Sequence, residues 1–368
     1  MSDAPARGPG RYRGTLGVWL VLIAYASLYP FWPLRPTSLE AAASMFARPR
    51  YSVLYDVVWN VLAYMPLGFF LRLHFGEWKD AHPNVRAVAI AAAWSLLMET
   101  CQIFLPNRVA SIYDVATNAA GAAIGAAVFF EPFHSTVTRP LAQARGEAVI
   151  GGARGDAGLM LVLLWLLAQL NPGLPFSGAG NLVESGATAA AASGAAALVP
   201  WIAVALSICG FGLFISTLLR AREGSLRATL ALLSVALWLK FLGASLALQP
   251  HFSEEWVSGG RVLGLVAGLL LFIPLRRLPR AGRIYLAIVM LMAGDLLSKI
   301  FGAYSSLDDF LRLFRWPHGQ LASFATLTRF IHELWPLAAL VFLIALFLHE
   351  RRTVARARMA AFPAEPGP

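Results

Sequence analysis

Long apolar runs separated by short polar segments dominate this chain of 368 residues. A helix needs about 20 apolar residues, each rising about 1.5 Å, to cross the hydrocarbon core of a bilayer. Ten segments approach this criterion, at about residues 15–34, 52–72, 85–105, 111–132, 157–170, 197–219, 226–248, 258–275, 283–302 and 320–349. The pattern therefore predicts an all-α protein, a polytopic bundle of about ten transmembrane helices.

The segments between these runs suggest how the chain is organised. Residues 134–156 are rich in arginine and glycine and separate the fourth run from the fifth. We expect a four-helix transmembrane domain over residues 1–133, a basic cytoplasmic linker over 134–156, a six-helix transmembrane domain over 157–350 and a basic cytoplasmic tail over 351–368.

The first run has features of a signal peptide, because arginines precede it and Ala24-Tyr25-Ala26 resembles a cleavage site. However, the run continues past this tripeptide and further apolar runs follow. We therefore expect an uncleaved first helix.

Composition supports the membrane assignment. Hydrophobic residues make up 58% of the chain and charged residues 14%, whereas an ordinary soluble domain is about 25% charged. For this reason the net charge of +10 does not indicate nucleic-acid binding. Cys101 and Cys209 both fall in apolar runs, so the sequence gives no sign of a disulfide framework.

The basic residues predict the orientation, because Lys and Arg collect in cytoplasmic loops. If the N-terminus is cytoplasmic, alternate loops contain Arg72, Lys79, Arg86, Arg139, Arg145, Arg154, Arg220, Arg222, Arg227, Arg276, Arg277, Arg280 and Arg283. The long loop 171–196, on the other side, contains no Lys or Arg. We expect a multi-pass protein of the inner (plasma) membrane with both termini in the cytoplasm.

Three pairs of polar residues interrupt the first half of the chain, and each pair shares one helix face. They are Asp56 and Asn60 at the start of the second run, Glu99 and Gln102 at the end of the third, and Asp114 and Asn118 at the start of the fourth, with Arg108 in the intervening turn. Counting the spans places all of them near the outer boundary. Ionisable groups at membrane depth usually face a cavity or the bundle interior, so we predict a polar pocket open to the outer leaflet.

Other roles for these residues stay open. The amides of Asn60, Gln102 and Asn118 can simply join helices by hydrogen bonds. The carboxylates of Asp56, Glu99 and Asp114 are suitable ligands for Mg²⁺ or another hard divalent cation, although no cofactor is evident from the sequence.

The pocket residues also carry a resemblance to a known family. The stretches "YDVVWNVLAYMPLGFF" and "SLLMETCQIFLPNRVASIYDVATNAAGAAIG" resemble the VanZ-like family of bacterial integral membrane proteins. The residues that match its ordered motifs are Asn60, Pro66, Gly68, Glu99, Gln102, Arg108, Asp114, Asn118 and Gly121. The resemblance covers about residues 15–132. It implies a role in the cell envelope linked to glycopeptide (teicoplanin) resistance, without naming a reaction.

Three functions follow as hypotheses. In the first, the pocket binds a lipid-linked or glycan headgroup at the outer leaflet, so the partner is a membrane lipid or lipid-linked glycan. In the second, a membrane hydrolase or transferase uses Glu99 or Asp114 as general acid or base on such a substrate, with Arg108 holding an anionic group. In the third, the protein is a transporter whose path includes charged residues of the C-terminal half, namely Lys240, Asp295, Lys299, His332 and Glu333.

For these C-terminal residues we favour structural roles. Asp295 and Lys299 have the spacing of an ion pair on one helix face, and Lys240 is expected to snorkel or pair. His332 and Glu333 are neighbours in sequence and point in different directions, so they do not form an acid/base pair.

Overall fold

The computed structural model of the protein describes residues 12–46, 54–77, 81–106, 108–128, 134–171, 174, 198–247, 259–301 and 318–361. We number the α-helices in chain order: α1 Arg13–Leu28, α2 Leu39–Ser44, α3 Leu54–Glu77, α4 Pro83–Gln102, α5 Ile112–Ala127, α6 Arg139–Ala148, α7 Gly152–Gln169, α8 Val199–Leu218, α9 Ser225–Ala247, α10 Gly259–Leu275, α11 Arg280–Phe301 and α12 His318–Ala361. Nearly all of the predicted outer loop 171–196 lies outside these residues.

Each of the ten predicted apolar segments coincides with a helix, so the all-α class is confirmed. Among the described residues, five segments are long and apolar enough to cross a membrane, and they are Val57–Gly76, Trp201–Leu218, Ser225–Gly243, Arg280–Lys299 and Thr326–Thr353. The helix Arg13–Leu28 and the segment Val262–Leu275 are apolar but shorter. These helices fit a membrane protein, while the count of ten spans and the cytoplasmic termini stay predictions.

Two regions are more helical than the sequence suggested. In the expected linker, a π-helical turn, His134–Thr138, leads into α6. At the other end, α12 continues into the expected basic tail as far as Ala361. Alanine and arginine are strong helix formers, which accounts for this extension past the apolar run.

The chain forms two compact units. Unit 1 contains residues 1–145 with 317–327, and unit 2 contains residues 146–316 with 328–368. The division in the first half of the chain falls within the segment 134–156, in which we expected a linker.

In unit 1, α5 packs against α3 and α4, and α1 packs against α3 and α4. Small residues allow the closest approach. A methyl group at Gly121 would overlap the carbonyl oxygen of Val61, one at Gly125 would overlap that of Met65, and one at Gly68 would overlap that of Ala122. The GxxxG spacing of α5 therefore sets its distance from α3.

In unit 2, α8 is the central helix and contacts α7, α9, α10 and α11. Its side chains Phe211 and Phe214 are fully buried. The ring of Phe211 stacks on Trp165 of α7 with centroids 4.0 Å apart. The indole of Trp335 in α12 donates a hydrogen bond of 2.7 Å to the carbonyl of Leu161 in α7, so its polar edge is satisfied within the core.

Candidate functional site

Glu99 lies in the last turn of α4 with only 5% of its surface exposed. Its Oε2 accepts a hydrogen bond of 2.8 Å from the backbone N–H of Ser111. Ser111 is the N-cap of α5, and its hydroxyl accepts a bond from the N–H of Tyr113 at 3.2 Å. Because the first N–H groups of a helix carry partial positive charge, the start of α5 stabilises the buried carboxylate.

Asp114 lies in the first turn of α5, where an acidic side chain is favoured. Its charge and that of Glu99 repel each other, while the charge of Arg108 attracts Glu99. The structure therefore brings together three of the predicted site residues, in a mixed group of two carboxylates and one guanidinium.

Arg108, which we expected to hold an anionic group, directs most of its guanidinium donors to carbonyls of the protein itself. Its Nη2 donates to the carbonyls of Ala26 at 2.8 Å and Tyr29 at 3.1 Å, and its Nε donates to Tyr29 at 3.3 Å. These carbonyls end α1, so Arg108 caps the C-terminus of that helix. Burial lowers the pKa of the Arg108 guanidinium, and the neighbouring Glu99 opposes this shift.

Gln102, like Arg108, binds a carbonyl near the C-terminal end of α1. It is 9% exposed, and its Nε2 donates to the carbonyl of Ser27 at 3.0 Å. Gln102 and Arg108, both predicted to bind a substrate, thus hold the last turn of α1 against the end of α4.

Asn60 joins α3 to α5. Its Nδ2 donates to the hydroxyl of Thr117 at 3.2 Å, and that hydroxyl donates to the carbonyl of Asp114 at 3.0 Å. Asn60 therefore makes the interhelical contact that was the alternative to a binding role, while its role in binding stays a prediction.

Asn118 is the most deeply buried of the amides predicted for the site, with 4% of its surface exposed. Its Nδ2 donates to the hydroxyl of Ser95 at 2.8 Å. Its Oδ1 is also buried and has no hydrogen-bond partner among the described residues. Since buried polar atoms are normally hydrogen-bonded, this oxygen has an unused capacity to accept a hydrogen bond.

The backbone of Asp56 belongs to α3, but its side chain lies outside the described residues. The structure therefore describes the side chains of six of the seven predicted site residues. Among the described residues, no group of three His, Cys, Asp or Glu side chains is arranged to hold a metal ion. The hypothesis of a hard divalent cation at Asp56, Glu99 and Asp114 stays a prediction.

Two site residues were missed in the sequence. Ser95 is fully buried beside Asn118, and Tyr64 is 3% exposed, within electrostatic reach of Glu99. Helical spacing would have found both, because Ser95 lies four residues before Glu99 and Tyr64 four residues after Asn60. With the predicted polar pairs, these two residues form a polar centre at which α3, α4 and α5 meet.

In unit 2, Lys240 of α9 is fully buried. Its Nζ donates to the carbonyls of Asn171 at 3.0 Å and Leu174 at 2.7 Å, just after α7 ends. Lys240 therefore does not snorkel; its ammonium pairs with backbone carbonyls inside the protein.

Asp295, Lys299 and Glu333 have partners one helical turn away. The ammonium of Lys299 donates to the carboxylate of Asp295 at 2.8 Å, which confirms the ion pair. Glu333 accepts from Arg329 at 2.9 Å. His332 instead lines a cavity of about 20 Å³ that is bordered by Trp165, Ala168, Ser207, Leu291, Asp295, Trp335 and Pro336. One water needs roughly 10–15 Å³, so this cavity has room for a water molecule and not for an organic substrate.

Comparison with known proteins agrees with the resemblance in the N-terminal third. Residues 14–134 match the sequence profile of the VanZ/LLP1 family. No curated protein and no solved structure matches the chain. The match includes all seven predicted site residues and ends before α6, so it says nothing about the role of unit 2.

Proposed function

We propose that unit 1 is a binding domain of the bacterial cell envelope, which holds a lipid-linked or glycan headgroup at the outer leaflet of the plasma membrane. The family match supports an envelope role for residues 14–134. The polar centre at α3, α4 and α5 supports binding, since ionisable residues at membrane depth are commonly functional.

The observation that carries this proposal is the unused acceptor Oδ1 of Asn118 in α5, which packs against α4 with its buried Glu99. Both residues offer acceptor oxygens, so the matching ligand groups are hydrogen-bond donors. Sugar hydroxyls are donors of this kind, which favours the glycan part of a headgroup. Arg108 contributes by fixing the end of α1 beside the pocket, because most of its donors already bind α1.

Lipid mass spectrometry on gently purified full-length protein tests the proposal. We expect the wild type to retain a glycan-bearing or polyprenyl-phosphate-linked lipid, and Glu99→Gln and Asn118→Leu to lose it. Gln169→Leu is the matched control, because Gln169 in unit 2 is also fully buried and its Oε1 has no partner among the described residues. Thermal stability is measured for each variant. Equal retention by wild type, Glu99→Gln and Asn118→Leu, at normal stability, would contradict the proposal.

A phenotype provides a second test. We propose that deletion of the gene changes susceptibility to teicoplanin, and that wild-type protein restores the original level whereas Glu99→Gln does not. The comparison requires equal abundance of both proteins in the membrane. Unchanged susceptibility on deletion would remove the link to glycopeptide resistance without affecting the lipid result.

The mutual repulsion of Glu99 and Asp114 favours one alternative, a hydrolase or transferase in which one carboxyl group is the general acid and the other the base. The same lipid experiment distinguishes it. An enzyme would convert added lipid-linked substrate into a product of different mass, and Glu99→Gln would stop this conversion while binding persists.

A further inference from the structure

Several arginines of unit 2 come together where three of its helices end or begin. Helix α8 ends at Leu218, α10 ends at Leu275 and α11 begins at Arg280, and α8 packs against both of the others. The Nη1 of Arg222 donates to the carbonyl of Arg277 at 3.0 Å. This bond joins the turn after α8 to the turn before α11.

Two further arginines bind the end of α8 itself. Arg283 Nη1 donates to the carbonyl of Ser216 at 2.6 Å, and Arg280 Nη2 donates to that of Thr217 at 2.8 Å. We call Arg222, Arg280 and Arg283 the arginine cluster. The partial negative charge at a helix C-terminus is about half an elementary charge, which balances only a fraction of three guanidinium charges.

Glu350 forms an ion pair with the arginine cluster, and Glu223 follows Arg222 in the chain. Arg280 Nε forms an ion pair of 2.8 Å with Glu350. The charge of Arg283 is repelled by those of Arg280 and Arg222 and attracted by that of Glu350. The three guanidinium charges outnumber the carboxylates of Glu350 and Glu223. Holding this excess positive charge together costs free energy unless an anion joins it.

The cluster also has unused hydrogen-bonding capacity. Arg283 is 7% exposed, and its buried Nε has no hydrogen-bond partner among the described residues. The Nε of Arg276, in the adjoining turn, is likewise buried and unpartnered within that part of the chain. A buried donor without a partner is costly, and guanidinium groups match phosphate oxygens with two parallel bonds.

The location of the cluster indicates the source of the phosphate. Trp201–Leu218 and Arg280–Lys299 are two of the candidate membrane spans, and the arginines stand at their ends. If these segments cross the bilayer, a guanidinium at their ends is at the depth of the lipid headgroups. The distribution of basic residues predicts that this end is cytoplasmic, and the cytoplasmic leaflet carries the anionic lipids.

We propose that the arginine cluster is a binding site for the phosphate of an anionic membrane lipid. The lipid phosphate neutralises the excess positive charge, and its oxygens accept hydrogen bonds from the unused N–H groups. In this way it links the ends of α8 and α10 to the start of α11. This site is separate from the pocket proposed for unit 1 and binds a different chemical group. The failure of one proposal would therefore not contradict the other.

Titration of the detergent-solubilised full chain with dioctanoyl phosphatidylglycerol tests the site, with dioctanoyl phosphatidylcholine and inorganic phosphate in parallel. We expect the protein to bind dioctanoyl phosphatidylglycerol, and to bind dioctanoyl phosphatidylcholine and inorganic phosphate much more weakly. Arg222→Gln should weaken phosphatidylglycerol binding by about fivefold, and Arg222→Gln with Arg280→Gln by about 25-fold, because each basic residue near a membrane surface contributes about 1 kcal/mol. Arg352→Gln is the control, since Arg352 is an exposed arginine of α12, and its variant should bind as the wild type does.

Arg222 is exposed, so Arg222→Gln is expected to fold, and its melting temperature without lipid verifies this. Equal affinity for the two lipids would overturn the proposal. A loss with Arg352→Gln as large as with Arg222→Gln would also overturn it, because it would show general electrostatic attraction instead of a site. Inorganic phosphate binding as tightly as phosphatidylglycerol would overturn the assignment to a lipid.

Discussion

At the scale of single residues, cations from one element repeatedly hold the C-terminal end of another helix. Arg108 binds the end of α1, Lys240 binds the carbonyls that follow α7, and Arg283 binds the last turn of α8. The last carbonyls of a helix lack partners within that helix, and at membrane depth water does not supply them. These side chains therefore supply hydrogen bonds to backbone carbonyls at helix ends that would otherwise lack a partner.

The first prediction concerns Arg108. Its planar group reaches two carbonyls of α1 by three hydrogen bonds, and a lysine ammonium does not have this forked geometry. We expect Arg108→Lys to lower the stability of the protein by about 1–3 kcal/mol, the contribution typical of hydrogen bonds to charged groups. Thermal melting in detergent measures this loss.

The control for this prediction is Arg139→Lys, because Arg139 is exposed in α6. This variant should have the same melting temperature as the wild type. If Arg108→Lys also melted with the wild type but lost the headgroup lipid, Arg108 would be a ligand-binding residue and its role as a helix cap would be secondary.

At the scale of elements, unit 1 depends on the close approach of α3 and α5. Backbone oxygens of α3 lie against the glycines of α5, and an oxygen of α5 lies against Gly68 of α3. This packing determines where the polar residues of both helices meet. Asn60 and Thr117, for example, form their 3.2 Å bond across the same interface.

The second prediction tests this interface. A methyl group at Gly125 would overlap the carbonyl of Met65 and lie 3.0 Å from the N atom of Phe69. We expect Gly125→Ala to destabilise the protein by about 1–3 kcal/mol, as overpacking of a core does. Tryptophan fluorescence during thermal unfolding follows the change.

Gly17→Ala in α1 is the matched control, because nothing lies within 4 Å of the position its methyl group would take. Alanine there should leave stability unchanged or raise it by about 0.5–1 kcal/mol, since alanine favours a helix more than glycine does. Similar melting temperatures for Gly125→Ala and Gly17→Ala would show that the α3–α5 approach is looser than described.

The ten long apolar helices could be predicted from the sequence because each depends on a local run of apolar residues, whereas the short α2 and the polar α6 lack such a run. The shared faces of Glu99 with Gln102 and of Asp114 with Asn118 could also be predicted from helical spacing. Their partners could not, because several are backbone atoms of other segments: the N–H of Ser111 for Glu99, and the carbonyl of Ser27 for Gln102. Backbone groups carry no residue-specific signal, so the sequence suggested an anion-binding Arg108 and a snorkelling or paired Lys240, without their carbonyl partners.

At the scale of the whole molecule, the charge distribution has two consequences. Arginines at the ends of apolar helices set the orientation in the membrane, and their concentration at the turns beside α8 creates the proposed anion site. Both consequences require α8 to cross the membrane, and the segment Trp201–Leu218 has the length and hydropathy for this. The orientation of α8 is therefore the feature on which the predicted topology can be tested most directly.

The last prediction places the two ends of α8 on opposite sides of the membrane. In a background of Cys101→Ala and Cys209→Ala, which removes both native cysteines, we introduce Ser185→Cys in the predicted outer loop or Glu223→Cys in the turn after α8. An impermeant thiol reagent should label Ser185→Cys in intact cells and Glu223→Cys only after permeabilisation, because the arginines beside Glu223 are expected to keep that turn in the cytoplasm. The reverse pattern would contradict the orientation, and labelling of both positions in intact cells would contradict α8 as a membrane span.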